Sequence, residues 1–332
     1  MERHERLERT AVLSALRWGV RLAFAALGIG IVVALVRQVG AETLCLILRD
    51  AAPWLPLVVV LEAARVGTDA LATYAAYGPD AGKLLPIRVL ARAALVARAV
   101  SSIAPAGRTA AEATKAAFLA PWAGAAAATA AAATGQAVTL VSGGILSVPC
   151  AAAAYVISGA SPITMALVLH AALLVTAGTG IRVAMRAPWL GALAGRLSRR
   201  AGAHVHAMQA RSRETSLLPP GPIAATLLGR AIQVAQYAIL ARAVGAATGV
   251  SRALVAEGAS MVALAVGAFV PAQVGVSEGA FAWSADVLGA TVPQALAIAL
   301  LGHALEAFFV AVGALVPLLW RAPAPPDERP EH

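Results

Sequence analysis

The chain contains six predominantly apolar runs about as long as a bilayer is thick. They are Trp18 to Val36, Pro53 to Tyr77, Trp122 to about Val148, Pro162 to Val183, Pro222 to Val244 and Pro293 to Trp320. An α-helix rises about 1.5 Å per residue, so ~20 residues cross the ~30 Å hydrocarbon layer. In lipid every backbone N–H and C=O must be paired within the protein, which leaves helices for runs of this kind. Composition agrees, since 60% of the 332 residues are hydrophobic and 13% are charged, against ~25% charged in a soluble domain. Too few charges remain to cover a water-facing surface, so a soluble globular protein is excluded. Cys45 and Cys150, the two cysteines, stand in no metal or redox spacing and exclude a disulfide scaffold. The run from Trp18 is too long for a signal-peptide core and is followed by further runs, so it reads as a first span.

The net charge of +9 points away from nucleic acid, because the arginines cluster between apolar runs and thereby set orientation. Arg3, Arg6, Arg9, Arg17 and Arg21 precede or open the first span. A long polar loop over residues 186–221 carries Arg186, Arg196, Arg199, Arg200, Arg211 and Arg213 against Glu214 alone. Both segments are expected in the cytoplasm. Two more apolar stretches, Leu85 to Leu119 and Ala253 to Leu288, are interrupted by Pro and Gly, at Pro105-Ala-Gly-Arg108 and at Pro271-Ala-Gln-Val-Gly275. Parity of the spans makes the first a hairpin entering from the cytoplasm and the second a hairpin entering from outside.

A shift of 166 residues places Pro53 on Pro219, Pro56 on Pro222, Pro105 on Pro271, Ala106 on Ala272 and Glu112 on Glu278. The expected fold is therefore an all-α polytopic integral membrane protein, with about six spans and two re-entrant helical hairpins in an inverted-topology repeat. It forms a single transmembrane domain over 1–332, with copies at about 53–150 and 219–316, an Arg-rich loop 186–221 and a disordered tail 322–332. Such repeats mark transporters, whose sites lie at the midplane between broken helices.

A charge inside a bilayer costs roughly 2.5–3.5 kcal/mol or more, so each must pair or face a cavity. Glu62, Arg65 and Asp69 share one helix face, where Arg65 can pair with either acid. They form either a neutralised structural triad or a network that a substrate headgroup rearranges. At the first tip a helix start presents free N–H groups, and Arg108 adds a bidentate cation suited to phosphate. Glu112, one turn on, is placed to hold the guanidinium, and Lys115 follows. The second tip has no arginine, but Ser277 is a possible donor and Glu278 mirrors Glu112. His303 and Glu306 lie three apart in the last span, where His303 would titrate near neutrality. The chain has no Gly-x-Ser-x-Gly elbow, no His-Glu-x-x-His zinc motif and no Walker loop, so neither an enzyme, a cofactor nor a metal is expected.

The stretches Ser101-Ser-Ile-Ala-Pro-Ala-Gly-Arg-Thr-Ala-Ala-Glu112 with Lys115, and Phe269-Val-Pro-Ala-Gln-Val-Gly-Val-Ser-Glu278, resemble the lysylphosphatidylglycerol synthase transmembrane, or flippase-like, family. The resemblance implies a domain that moves or presents lipids with modified headgroups or polyprenyl-phosphate carriers, with the proline-glycine tip and its acid recurring in both halves. Three features depart from that pattern: Ala-Gln-Val-Gly replaces a glycine pair, His303 stands where relatives often place an arginine, and no aminoacyl-transferase domain follows Trp320. The expectation is a flippase of an anionic or phosphate-bearing lipid in a bacterial inner membrane, both termini cytoplasmic. Its candidate binding residues are Arg108, Glu112, Glu278, Arg65, Glu62, Asp69, Ser277, Pro105, Pro271 and His303, and its partners are membrane lipids, with a membrane-associated lipid-modifying enzyme as a further candidate. The alternatives are a proton-coupled transporter of a small anion and a membrane partner of a lipid-modifying or glycosyltransferase enzyme.

Overall fold

The computed structural model describes residues 30–320 apart from 105, 269, 271 and 272. The N-terminal arginines, the first part of the Trp18 run and the 322–332 tail lie outside these residues. Every regular element among the described residues is helical, and five helical stretches are long and apolar enough to cross a membrane.

The end of the first run is α1 (Gly30–Val39). Gly40 at φ 90° then turns the chain into α2 (Ala41–Ala51), which passes through a 3-10 turn at Ala52–Trp54 into α3 (Leu55–Ala76). The second span therefore does not begin at Pro53. That proline tightens a helical stretch already under way, and Pro56 occupies the first turn of α3, where no N–H is needed.

After α4 (Gly78–Gly82), α5 (Ile87–Ile103) and α6 (Gly107–Ala123) pack along each other as the first hairpin. Each arm has 17 residues, about 25 Å, short of a full crossing. Gly124, at φ 84°, leads into α7 (Ala125–Ser158). The apolar run was expected to end near Val148, yet the helix continues through Pro149 for another two to three turns. α8 (Pro162–Arg186) returns against α7. Their backbones nearly touch: a Cβ on Gly178 would lie 2.7 Å from the Ala137 carbonyl, and one on Gly144 2.9 Å from that of Ala171. Small residues at such crossings replace the hydrophobic drive that lipid does not provide.

The Arg-rich segment is not a loop. Pro188 opens α9 (Pro188–Leu197), and the Ser198 hydroxyl accepts the Ala201 N–H to cap α10 (Arg199–Arg213). Arg182, fully buried in α8, docks this pair by donating to the Leu217 and Ser216 carbonyls and to the hydroxyls of Thr134, Ser212 and Thr215. Gln209 adds a bond to the Ala187 carbonyl at 2.7 Å. Charge density read as a loop because the docking partners lie 22 or more residues away along the chain.

The second half comprises α11 (Pro220–Ala243), α12 (Val250–Val266), α13 (Val276–Trp283), α14 (Ala285–Leu288) and α15 (Val292–Leu319). The return arm of the second hairpin is broken in two. At the break the Ser284 hydroxyl bonds back to the Ala280 carbonyl at 2.7 Å, a contact that competes with regular helix. Packing is reciprocal between the halves: α3 lies against α11, α5 against α15 and α12 against α7, while α6 meets α7 and α13 meets α15. The base of the first hairpin shares a face with α10, whose His204 lies 3.3 Å from Thr129 near the start of α7. The second hairpin starts and closes at the far end of α11, where the Ala247 N–H meets the Gly289 carbonyl. Leu167, Val255 and Leu296 sit in the shared core, whereas Val156, Leu169, Leu318 and Leu319 point outward, as a surface solvated by lipid requires.

Candidate functional site

The charged side chains of the core start from one stripe of α3. Residues 62, 65, 69 and 73 recur every three or four positions, so helical periodicity alone lines them up toward the first hairpin and α11. Arg65 forks onto Glu62, its Nε donating to Oε2 at 2.8 Å, with a second close contact from Nη2 to Oε1. Of the two acids available to it, Arg65 takes Glu62 and not Asp69. Glu62 is further held by Arg98 of α5 at 3.1 Å and by the amide of Gln236 on α11 at 3.3 Å.

Asp69 belongs to the first hairpin. Its two oxygens are shared between two cations of α6: Arg108 reaches Oδ1 at 3.2 Å and Lys115 reaches Oδ2 at 3.2 Å. Both cations also meet Glu112, at 3.4 and 2.8 Å, because positions 108, 112 and 115 fall on one helix face. Arg108 donates to Thr139 of α7 at 2.6 Å and Lys115 to Thr73 at 3.0 Å. The Lys115 side chain is 5% exposed and that of Arg108 42%, so the pair runs from the interior to an open edge. A Cβ on Gly135 of α7 would lie 2.7 Å from Glu112 Oε2, which shows how closely that carboxylate is walled in.

Both hairpin tips meet one turn of α15. The Ser102 hydroxyl, at the end of α5, donates to Glu306 Oε1 at 2.5 Å, and Arg98 lies 3.8 Å from the same oxygen. From the other tip, Glu278 caps α13 by accepting the Gly275 N–H at 2.8 Å and presents Oε1 to His303 Nε2 at 3.1 Å. The tips are also where the backbone is unusual. Ala106 at φ 50° and Gln273 at φ 56° are the two non-glycine residues with positive φ among the described residues, a conformation that costs an L-residue ~1–2 kcal/mol.

Seven of the ten expected residues thus enter two ion-pair clusters that share the α3 stripe: Glu62, Arg65, Glu278 and His303 in one, joined through Arg98 and Glu306, and Asp69, Arg108 and Glu112 in the other, joined through Lys115. Ser277 is half-buried and makes no side-chain hydrogen bond among the described residues, so its expected donor role finds no partner. Pro105 and Pro271 lie outside the described residues. Arg98, which joins α3 to α15, escapes sequence reasoning because it sits in an alternating Ala/Arg stretch that reads as the cytoplasmic end of a hairpin. Glu257 escapes as well. It is fully buried in α12 and paired at 3.0 Å with Arg230 of α11, and its signal was an acid standing alone in an apolar run. Around these tips five cations, Arg65, Arg98, Arg108, Lys115 and Arg230, face six carboxylates, Glu62, Asp69, Glu112, Glu257, Glu278 and Glu306. The interior is close to self-neutral, so a charged ligand must exchange with an internal partner.

No curated protein and no solved structure gives a match to this chain. The family model of the lysylphosphatidylglycerol synthase TM region matches residues 18–313, a stretch that takes in both hairpins, the α3 stripe and the His303–Glu306 turn. A multi-pass helical membrane protein with its charges gathered at two hairpin tips, the chain belongs to the lysylphosphatidylglycerol synthase TM region family.

Proposed function

We propose that this protein binds the phosphate of an anionic lipid headgroup at the first hairpin and carries the lipid between leaflets. The observation that carries the reading is the bridging of Asp69 between Arg108 and Lys115. A carboxylate with one oxygen on each of two cations occupies the position that two oxygens of a phosphate would take. An incoming headgroup exchanges with Asp69, so the cations are never left unpaired in a low-dielectric interior. The half-exposed Arg108 meets the lipid first, Lys115 receives it deeper, and Glu112 holds both cations during the exchange. Arg65 and Glu62 line the next turn of α3. The chain acts in this scheme as a carrier and not as an enzyme.

The reading includes a bacterial inner membrane, cytoplasmic termini and an inverted repeat. It is supported by the reciprocal packing of the two halves and by the arginines of α9 and α10 on the face where the first hairpin opens. The test is a headgroup-accessibility assay in proteoliposomes. Arg108→Ala is expected to slow movement of a labelled phosphatidylglycerol at least ~10-fold, the loss of a single charge-assisted contact of ~1.5–3 kcal/mol. Movement at the wild-type rate would remove the assignment.

A second reading is favoured by the exposed faces of α9 and α10, where Trp189 and Leu193 stand beside Arg196, Arg199 and Arg200. In that reading the helix pair docks a lipid-modifying membrane enzyme, and its deletion would abolish co-purification of the partner without affecting lipid movement.

A further inference from the structure

His303 sits between two carboxylates that belong to different hairpin contacts. Its Nε2 lies 3.1 Å from Glu278, the capping acid of the second tip. Its Nδ1 lies 3.9 Å from Glu306, which the first tip holds through Ser102 at 2.5 Å and Arg98 at 3.8 Å. Arg98 in turn bonds Glu62 at 3.1 Å, and so reaches the α3 stripe on which Asp69 lies. α2, α11 and α14, the last carrying Asp286, also pack against α15, but they add no ion pair to His303 among the described residues. None of these groups is needed to hold a phosphate at Arg108 and Lys115.

We propose that Glu278, His303 and Glu306 form a proton site that links the two hairpins and couples proton movement to lipid movement. The coupling rests on the lipid-carrier reading, whereas the proton site does not. A proton on Glu306 passes to Nδ1, the resulting imidazolium gives up its Nε2 proton to Glu278, and one proton has moved with the ring left neutral in the other tautomer. An imidazole suits the task because its ordinary pKa lies near neutrality. The two distances differ in a useful way. The Glu278 side is within hydrogen-bond distance, where Nε2 needs only a turn of the ring to align because it makes no hydrogen bond as it stands, but the Glu306 side at 3.9 Å is too long. Transfer there waits until Glu306 leaves Ser102 and Arg98, that is, until the first hairpin shifts. Headgroup capture at α6 and proton uptake at α15 thereby act on the same moving element.

Two measurements test this. In proteoliposomes holding a pH dye and a labelled phosphatidylglycerol, an imposed pH gradient is expected to accelerate wild-type lipid movement by up to about tenfold per pH unit, the limit for one proton per lipid. In His303→Gln the ratio of rates with and without the gradient falls to one. An unchanged ratio in His303→Gln, or a wild type indifferent to the gradient, overturns the coupling. In purified protein, the infrared difference spectrum between about pH 5 and pH 8 is expected to lose a protonated-carboxyl band in Glu278→Gln and to shift it in His303→Gln. A spectrum identical to wild type in both variants overturns the proton site. Should the wild type move no lipid yet lose the band in Glu278→Gln, the carrier reading fails and the proton site stands.

Discussion

In the proposed carrier scheme Asp69 takes the place of the ligand between Arg108 and Lys115, and removing its charge should separate binding from release. Asp69→Asn leaves Arg108 and Lys115 with Glu112 as their remaining carboxylate partner. Phosphatidylglycerol is then expected to bind about tenfold more tightly, a gain of ~1.4 kcal/mol, in a detergent titration, while turnover in proteoliposomes falls. Weaker binding in Asp69→Asn would mean that the aspartate helps hold the ligand. The Arg230–Glu257 pair makes a different point. With Glu257 fully buried and its partner nearly so, removal of either side leaves an unpaired charge, at a cost of ~3–5 kcal/mol. Glu257→Leu and Arg230→Leu are each expected to lower the melting temperature by several degrees. The double variant should recover most of that loss, because exchanging a buried pair for apolar groups is often neutral. A double variant as unstable as the sum of the singles would show that the pair serves stability directly.

At the scale of elements, the tips store conformational cost in Ala106 and Gln273. A glycine within a helix ordinarily costs ~0.5–1 kcal/mol relative to alanine. Where φ is positive the sign reverses, because glycine alone adopts that region freely. Ala106→Gly and Gln273→Gly are therefore each expected to leave thermal stability unchanged or raised by ~0.5–1 kcal/mol. A loss of ~1 kcal/mol in a thermal melt would show the tips to be unstrained. The existence of both hairpins was legible in the sequence, since a combined Pro and Gly interruption favours a break in an apolar stretch and the parity of the arginine-flanked spans required each broken stretch to return to its own side. The break at Ser284 and the docking of α9 and α10 were not. A serine hydroxyl bonding its own preceding turn, and a buried arginine reaching hydroxyls and carbonyls 30 or more residues away, leave no local pattern.

Over the whole molecule, the two hairpin bases lie at opposite ends of α11, and the arginines of α9 and α10 mark one of those ends. In a background with Cys45 and Cys150 replaced, Ser198→Cys is expected to react with a membrane-impermeant thiol reagent from the cytoplasmic side, and Ala247→Cys from the opposite side. Labelling of both from one side would overturn the inverted arrangement. The sequence alone determined the helical membrane class, the family, the approximate places of the apolar helices and the candidate acids and cations, because a bilayer imposes length and backbone pairing segment by segment; where the helices begin and end, as at Ala41 and Ser158, it did not. It also placed Glu62, Arg65 and Asp69 on one face, since helical periodicity is local. Only the tertiary structure decided who pairs with whom: Arg65 with Glu62, Asp69 between Arg108 and Lys115, and His303 between the two tips. A charge in the interior takes whichever opposite charge packing brings within about 3 Å, and the spacing along the chain does not carry that choice.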